Sequence, residues 1–107
     1  MIIQASGLLL DACVLSLISK EDAYGYNLTQ RVKSALGVSE STLYPVMRRL
    51  QTEGSLTAYD IPYNGRNRRY YQITSTGREK YNKCAHEWQS FSSRVNDIML
   101  EGRHDKN

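Results

Sequence analysis

The sequence, which at 107 residues has the length of one domain, predicts a mainly α-helical protein with one small β-hairpin. Apolar residues recur at helical spacing in four segments. Two tyrosine-rich segments flank Asn64-Gly65, a dipeptide that favours a two-residue hairpin turn. Only a few residues separate the second and third helical segments, which is typical of a helix-turn-helix.

The charge of the chain is unevenly distributed. Its formal net charge is only +3, but positions 64–83 hold six basic residues and one acidic residue. Positions 1–63 hold five basic and six acidic residues. A local basic block in a nearly neutral protein indicates an anionic partner that binds one face.

The first two helices are predicted to run from about Gln4 to Ser19 and from about Ala23 to Leu36. The first has apolar residues on almost every side, which is typical of a helix buried between other elements. Asp22 is the predicted N-cap of the second helix, and Gly37 is placed to end it with a left-handed residue. The inner stripe of the second helix is predicted to contain Tyr24, Leu28, Val32, Ala35 and Leu36.

The first turn of the second helix is unusual because Gly25, between Tyr24 and Tyr26, costs about 1 kcal/mol relative to alanine in a helix. Two interpretations remain open. The helix N-terminus approaches a DNA phosphate, to which it offers free amide groups and a tyrosine hydroxyl. Alternatively, the glycine permits close packing of another helix.

The third helix is predicted to begin after Ser39, its N-cap, and to end at Glu53-Gly54-Ser55. Its apolar residues fall at i, i+3, i+4 and i+7 and form one buried stripe of Leu43, Val46, Met47 and Leu50. The opposite face is polar and basic and contains Ser41, Tyr44, Pro45 and Arg48, with Arg49 on its flank. Such a face suits a DNA major groove, although any amphipathic surface helix exposes polar residues. Pro45 predicts a kinked or loosened first turn.

Two strands are predicted from Leu56 to Tyr63 and from Arg66 to Ile73. Three arginines lie at or near the tip of this hairpin: Arg66, Arg68 and Arg69. A basic hairpin directly after a helix-turn-helix is typical of a wing, which lies along the DNA backbone and reaches the minor groove. Alone, such a tip is also typical of a solvated charged turn. Beside the basic third helix, it favours a winged helix-turn-helix that binds DNA.

A fourth helix is predicted from about Ser75 to Leu100, with Thr76 or Thr74 as its N-cap. Its apolar residues recur in two series at seven-residue steps: Tyr81, Cys84, Trp88, Phe91, Val95 and Ile98. A small core cannot cover so long a helix, so this seam, with Leu8 and Ala12, is expected to pack on a second copy. The alternative is packing within one chain. We therefore assign 1–73 to DNA binding and 74–107 to a dimerisation helix with a polar tail.

Cysteine usage and hydropathy exclude several classes of protein. Cys13 and Cys84 lie in predicted helices with no secretory signal before them, so we expect free thiols in a reducing compartment. The apolar run 7–18 is interrupted by Asp11 and is too short to span a bilayer. We expect a cytoplasmic protein that does not bind membranes.

An enzyme is not predicted, because the sequence has no nucleophile–base spacing and no glycine-rich phosphate loop. Cys84 and His86 form a single Cys-x-His pair without a second pair of ligands, which is weak as a metal site. We expect no metal and no cofactor. Redox sensing through Cys84 would require an exposed thiol. The alternative function is a protein-only interaction module built on the fourth helix, which predicts no DNA affinity at low salt.

Several segments together match one known pattern over nearly the whole chain. They are Ala23-Tyr24-Gly25-Tyr26, Ser41-Thr42-Leu43-Tyr44-Pro45, Arg48-Arg49-Leu50, Glu53-Gly54, the run 65–74 and Gly77. With these segments the sequence resembles the PadR family of bacterial transcriptional regulators. Its length and single C-terminal helix are similar to the short branch of that family. The wing tip, Asn64-Gly65-Arg66-Asn67, departs from the Gly-Pro or Gly-Gly pattern of many members.

The resemblance implies a winged helix-turn-helix homodimer that represses genes by occupying a palindromic operator in double-stranded DNA. In the family an effector, often a phenolic acid or an apolar aromatic drug, or else a partner signal, releases the DNA. By position, Trp88 would lie in a dimer cavity and Tyr24 and Tyr26 at or near phosphate. The DNA-binding residues are then predicted to be Tyr24, Tyr26, Ser39, Ser41, Thr42, Tyr44, Pro45, Arg48, Arg49, Arg66, Arg68 and Arg69.

Overall fold

The structure, a computed structural model, describes residues 7–101. Within that range the elements are α1 (Gly7–Lys20), β1 (Ala23–Tyr24), α2 (Gly25–Leu36), α3 (Glu40–Thr52), β2 (Leu56–Tyr63), β3 (Arg66–Ile73) and α4 (Ser75–Met99). The predicted start of the first helix at Gln4, and all but the first residue of the predicted polar tail, lie outside the described residues. The mainly helical fold class, with its hairpin and long final helix, is confirmed.

The core lies between α1, α2, α3 and the base of the hairpin. Its buried residues are Leu10, Val14, Leu15, Ile18, Leu28, Val32, Leu43, Val46, Met47, Leu50, Leu56 and Ile73. The predicted inner stripe of α3 is therefore confirmed. α1 packs against α2, α3, α4 and β3, as predicted for a helix buried between other elements, although Leu8 is exposed and Ala12 is only half-buried. In α2, Ala35 is exposed and does not belong to the inner stripe.

The start of the second helix also differs from the prediction. Ala23–Tyr24 form the short strand β1, which pairs antiparallel with β3 through Ala23↔Tyr71 and Tyr24↔Tyr70. α2 therefore begins at Gly25, and Tyr24 is its N-cap residue without a side-chain hydrogen bond to the helix. The sheet contains three strands in the order β1-β3-β2 within the described part of the chain.

Two contacts explain why α2 begins at Gly25. Asp22 does not cap α2, because its carboxylate accepts a hydrogen bond from the Tyr59 hydroxyl at 2.6 Å. At Gly25, an added Cβ would lie 2.9 Å from Cε2 of Tyr71, so the glycine lets the chain pass closely over β3. Close packing against a strand, rather than against the helix of the second interpretation, thus gives one reason for the glycine.

The hairpin has the register that the sequence predicts. β2 and β3 pair from Leu56↔Ile73 at the base to Tyr63↔Arg66 at the tip. The two turn residues, Asn64 and Gly65, both have positive φ, 50° and 78°. This is the conformation of a two-residue turn whose twist matches that of the strands, and it explains why Asn-Gly is found there.

The long helix α4 begins after Thr74, whose hydroxyl accepts a hydrogen bond from the Gly77 amide at 3.0 Å. Thr74 is thus the N-cap, and Thr76 is not. α4 packs on α1 and β3. Its buried residues are Gly77 and Cys84, and no residue from Trp88 onward is buried. Nearly half of the helix, residues 88–99, therefore extends beyond the core of its own chain.

Candidate nucleic-acid interface

The N-terminal end of α3 is a cluster of three hydroxyl groups. Ser39 is the N-cap, and its Oγ accepts a hydrogen bond from the Thr42 amide at 3.2 Å. The same oxygen lies 2.9 Å from Oγ of Ser41 and 3.0 Å from Oγ1 of Thr42. Hydroxyl groups at a helix N-terminus, where the helix dipole is positive, suit contact with phosphate oxygens.

The outward face of α3 is exposed along its length. Ser41, Tyr44, Pro45 and Arg48 are all exposed, and Tyr44 retains 47% of its accessible surface. The helix is continuous through Pro45, so the predicted kink does not interrupt it. Among the described residues Arg48 has no ion-pair partner. Its guanidinium is available for base edges or phosphates, the groups that arginine binds in pairs of hydrogen bonds.

The one acidic residue of α3 is turned away from this face. Glu40 accepts a hydrogen bond from the side-chain amide of Gln30 in α2. This bond ties the first turn of α3 to α2, and it engages the carboxylate that would otherwise repel a phosphate. The charge remaining on the outward face is that of Arg48.

Arg49, unlike Arg48, forms an ion pair within the chain. Its two terminal nitrogens donate to the two carboxylate oxygens of Asp11 in α1, at 3.0 and 2.6 Å. The hydrogen bond and charge of Asp11 raise the pKa of Arg49, which is therefore positively charged. Because its guanidinium points toward α1, we leave Arg49 out of the interface proposed below, although the sequence had placed it there.

The wing arginines lie on both faces of the hairpin rather than together. Opposite residues in an antiparallel pair share a face, so Arg66 and Arg68 lie on the outer face with Tyr70. Arg69 lies on the inner face with Tyr71, directly opposite Asp60, to which its Nε forms an ion pair at 3.5 Å. Arg66, next to the turn, has no ion-pair partner among the described residues.

Arg68 is held by aromatic rings. Its guanidinium carbon lies 3.7 Å from the ring centroid of Tyr63 and 4.6 Å from that of Tyr24. These are cation–π distances, and they connect the hairpin tip to the N-cap of α2. Arg68 thus orders the wing, while Arg66 is the arginine that projects freely.

A row of tyrosines supports the outer face of the sheet. The rings of Tyr59 and Tyr70 stack with centroids 5.7 Å apart, and Tyr24 lies 5.7 Å from Tyr70. Tyr26, 6.1 Å from Tyr24, is 58% exposed at the start of α2. Of the two tyrosines predicted to lie near phosphate, Tyr26 therefore offers the accessible hydroxyl, whereas Tyr24 is half-buried in this row.

Comparison with known proteins identifies the family. The model of the transcriptional regulator PadR-like family matches residues 14–83, which include α2, α3 and the hairpin. This chain belongs to the PadR-like family. Members are DNA-binding transcriptional regulators and not enzymes.

Individual relatives of this PadR-like chain agree in sequence and in fold. An uncharacterized protein from Lysinibacillus sphaericus is 34% identical over 99 residues, which are 87% of this chain and 89% of the relative. The crystal structure of a Streptococcus mutans protein matches with a TM-score of 0.86, 35% identity and 96% coverage of both chains. A PadR-like transcriptional regulator from Bacillus cereus matches with a TM-score of 0.77, 33% identity and coverage of 87% of this chain and 92% of the other.

The residues predicted for dimer or effector contacts divide into two groups along α4. Cys84 is buried and Tyr81 is half-buried, and both lie in the part of α4 nearest its own core. Trp88, Phe91 and Ile98 are exposed, with Phe91 at 52%. Val95 is half-buried, as is Ala12 of α1, and Leu8 of α1 is exposed. Half of the predicted seam is therefore covered within the chain, and half is uncovered.

Two features of the PadR-like chain were missed by sequence reasoning. In the sequence Asp11 is simply a break in an apolar run, yet it is 3% exposed and bonded to Arg49 and Lys80. Its position on the apolar side of α1 was the available signal, because an acid there requires a basic partner. The tyrosine row could have been found from β-strand alternation, which places Tyr59 and Tyr63 on one face.

The described residues give little support for redox sensing, metal binding or membrane insertion. Burial raises the pKa of both thiols, Cys13 and Cys84, and Cys84 lacks the exposure that a redox sensor requires. No group of three or more potential metal ligands occurs among residues 7–101. None of the helices in that range has the length and apolarity needed to cross a membrane.

Proposed function

We propose that this PadR-like chain acts in the cytoplasm as a homodimeric, sequence-specific repressor. The outward face of α3 contacts base edges in the major groove, and the hairpin tip with Arg66 contacts the backbone beside it. The strongest support is the composition of the α3 face, because its residues are exposed and neutral or basic. The one carboxylate of α3, on Glu40, is turned away from this face and engaged by Gln30.

The exposed half of α4 supports a dimer. Trp88, Phe91, Ile98 and Met99 are large apolar residues that the chain itself leaves exposed. Of these, Trp88, Phe91 and Ile98 follow heptad spacing, and exposed apolar residues at that spacing are typical of a helix–helix interface. A twofold dimer would present two α3 helices to two half-sites of a palindrome, which raises affinity beyond that of one small domain.

Substitution of the two free arginines should have different effects on DNA binding. The assay is fluorescence anisotropy with duplexes that the wild-type protein selects from a library of its genomic DNA. Arg48→Ala should cost about 1–3 kcal/mol on the preferred duplex and relax its sequence preference, because it removes a base contact. Arg66→Ala should weaken binding evenly across sequences and reduce the slope of log affinity against log salt by about one, because it removes a phosphate contact.

The matched control is Lys83→Ala, which removes an exposed positive charge from α4, away from α3 and the hairpin. This variant should keep the sequence preference and nearly all of the affinity. If Arg48→Ala and Arg66→Ala both bind as the wild type does, α3 and the hairpin are not the interface. If the wild type binds no duplex at low salt, an interaction module without DNA affinity becomes the better account.

The proposed effector is a planar apolar compound that binds beside Trp88 between two subunits. The rings of Trp88 and Phe91 lie 6.5 Å apart on the exposed part of α4, and both offer flat apolar surface. The cleft of about 300 Å³ beside the start of α2 suits such a ligand less well, because Glu21, Asp22 and Arg31 are among its lining residues.

The emission of Trp88 tests the effector directly, because it is the one tryptophan of the chain. Titration with a panel of planar aromatic compounds should quench or shift this emission for at least one compound. The same compound should release bound duplex in the anisotropy assay. Unchanged emission across a broad panel would instead indicate that Trp88 only fills the dimer interface.

A further inference from the structure

A cluster of four charged groups joins α1, α3 and α4, and one of the four, Asp11, is buried. Its members are Asp11 of α1, Arg49 of α3, Glu53 at the C-cap of α3, and Lys80 of α4. Nζ of Lys80 lies 2.9 Å from Oδ2 of Asp11 and 2.6 Å from Oε1 of Glu53. Nη1 of Arg49 lies 3.5 Å from Oε2 of Glu53. We call this group the Asp11 cluster.

The carboxylate of Asp11 is the centre of the cluster. It is 3% exposed, and it binds the Arg49 guanidinium with both oxygens and the Lys80 ammonium with one. Burial raises the pKa of Asp11, but the hydrogen bonds and charges of Arg49 and Lys80 outweigh burial and hold the pKa below its ordinary value. Asp11 is therefore ionised at neutral pH, and Arg49 and Lys80 both stabilise its charge.

Burying the Asp11 carboxylate against the partly exposed Arg49 and Lys80 is a costly way to hold helices together, since apolar residues of similar volume stabilise as well or better. What an arginine–carboxylate pair adds, and apolar packing does not, is a fixed relative orientation of the two side chains. The two parallel hydrogen bonds from a planar guanidinium fix the orientation of Arg49 on Asp11. Arg48 directly precedes Arg49 on the same helix, so the bond that fixes Arg49 also fixes the rotation of the outward face of α3.

The cluster also connects α3 to α4. Both helices pack on α1. Lys80 bridges from α4 to Asp11 and to Glu53 at the end of α3. Glu53 is further held by the Ser55 hydroxyl, which donates to its carboxylate at 3.1 Å. The end of the DNA-contacting helix and the start of the dimerising helix are thus bonded to one another through charged side chains.

We propose that Asp11 and Lys80 are positioning residues for DNA recognition: they fix α3 relative to α4 and so set the distance between the two α3 helices of the dimer. This inference rests on the proposed function and goes beyond it by naming residues outside the outward face of α3, the hairpin tip and the uncovered part of α4. Its specific consequence is a sharp preference for one spacing between half-sites, because operator spacing reflects the geometry of the dimer.

Spacing preference is the property to measure, because a merely structural role would leave it unchanged in the folded protein. The probes are duplexes that contain two inverted copies of the half-site selected by the wild type, with spacers that differ by one base pair. For the wild type, a one-base-pair change should weaken binding about tenfold. For Asp11→Asn and Lys80→Gln, which break the cluster without changing side-chain size greatly, the same change should weaken binding less than about threefold.

A control for lost stability is Val32→Ala, which removes buried apolar atoms from α2, an element without a residue in the Asp11 cluster. All variants are assayed at a temperature at which circular dichroism shows them folded. Val32→Ala should keep the wild-type spacing preference. The positioning role is overturned if folded Asp11→Asn and Lys80→Gln keep the wild-type spacing preference. It is also overturned if Val32→Ala loses as much of that preference as they do. Neither result contradicts DNA binding itself. A wild type without duplex binding contradicts the proposed function itself, and the positioning role with it.

Discussion

Phe91→Glu is expected to separate the dimer into monomers and to remove most of the DNA affinity. Phe91 is 52% exposed in the single chain and lies in the middle of the uncovered part of α4. Placing a carboxylate at an apolar twofold contact costs several kcal/mol, since two unpaired charges are buried at once. The dissociation constant of the dimer should rise by at least about 100-fold, equivalent to about 2.7 kcal/mol.

DNA affinity should fall with the dimer. A monomer binds one half-site, and loss of the linked second binding event lowers affinity by about 100-fold or more. Sedimentation velocity measures the oligomeric state, and anisotropy on the selected duplex measures the affinity. The helical content of the variant should be close to that of the wild type, because the substitution affects a side chain that the chain itself leaves half exposed.

The matched control for Phe91→Glu is Ser93→Glu. Ser93 is exposed and lies two residues further along α4, about 200° around the helix from Phe91. The Ser93→Glu substitution adds the same charge to the opposite face of α4, and it should leave both the dimer and the DNA affinity intact. A Phe91→Glu protein that remains dimeric would show that the uncovered face of α4 is not the subunit interface.

Gly77→Ala is expected to cause the largest loss of folding stability among single-methyl changes. A Cβ at this position would lie 2.2 Å from the carbonyl oxygen of Ser55 and 2.9 Å from Cγ1 of Ile73. The backbone of Ser55 cannot move easily, because its carbonyl accepts from the Thr74 amide at 3.1 Å and its amide donates to the Leu50 carbonyl at 2.8 Å. The first turn of α4 must therefore move away.

The free energy of unfolding of Gly77→Ala should be about 3 kcal/mol lower than that of the wild type, at the upper end of the range for overpacked sites. For a domain of this size, such a loss lowers Tm by about 10–20 °C. Thermal and urea unfolding followed by circular dichroism measure both quantities.

Gly7→Ala is the control for Gly77→Ala, because a Cβ at Gly7 would meet no atom within 4 Å. Its stability should equal that of the wild type or exceed it slightly, since alanine favours the helix. If the two variants were equally stable, α4 would not approach Ser55 as closely as the structure indicates.

Patterns with local causes were predicted well from the sequence. Ser39 caps α3 because a hydroxyl before the first turn satisfies a free amide. Asn64 and Gly65 form the turn because both tolerate positive φ. The spacing of Leu43, Val46 and Met47 gave the buried face of α3, and with it the exposed face of the candidate interface.

Features that depend on tertiary contacts were predicted less well. Residues 23–24 form a strand because β3 lies beside them, and two residues are too few to show a strand pattern. Arg48 and Arg49 look alike in the sequence, yet only Arg49 meets a buried carboxylate. That carboxylate, on Asp11, lies 38 positions earlier in the chain, and no local pattern connects the two.

Photocrosslinking from two single positions tests directly whether α3 contacts DNA and α4 contacts a second subunit. Tyr44 lies on the outward face of α3 and Phe91 on the uncovered face of α4, and both are exposed aromatic residues. p-Benzoylphenylalanine is placed at one position or the other, and the protein is irradiated with the selected duplex. We expect crosslinks to DNA from position 44 and crosslinks to a second protein chain from position 91. DNA crosslinks from position 91 but not from position 44 would contradict this expectation.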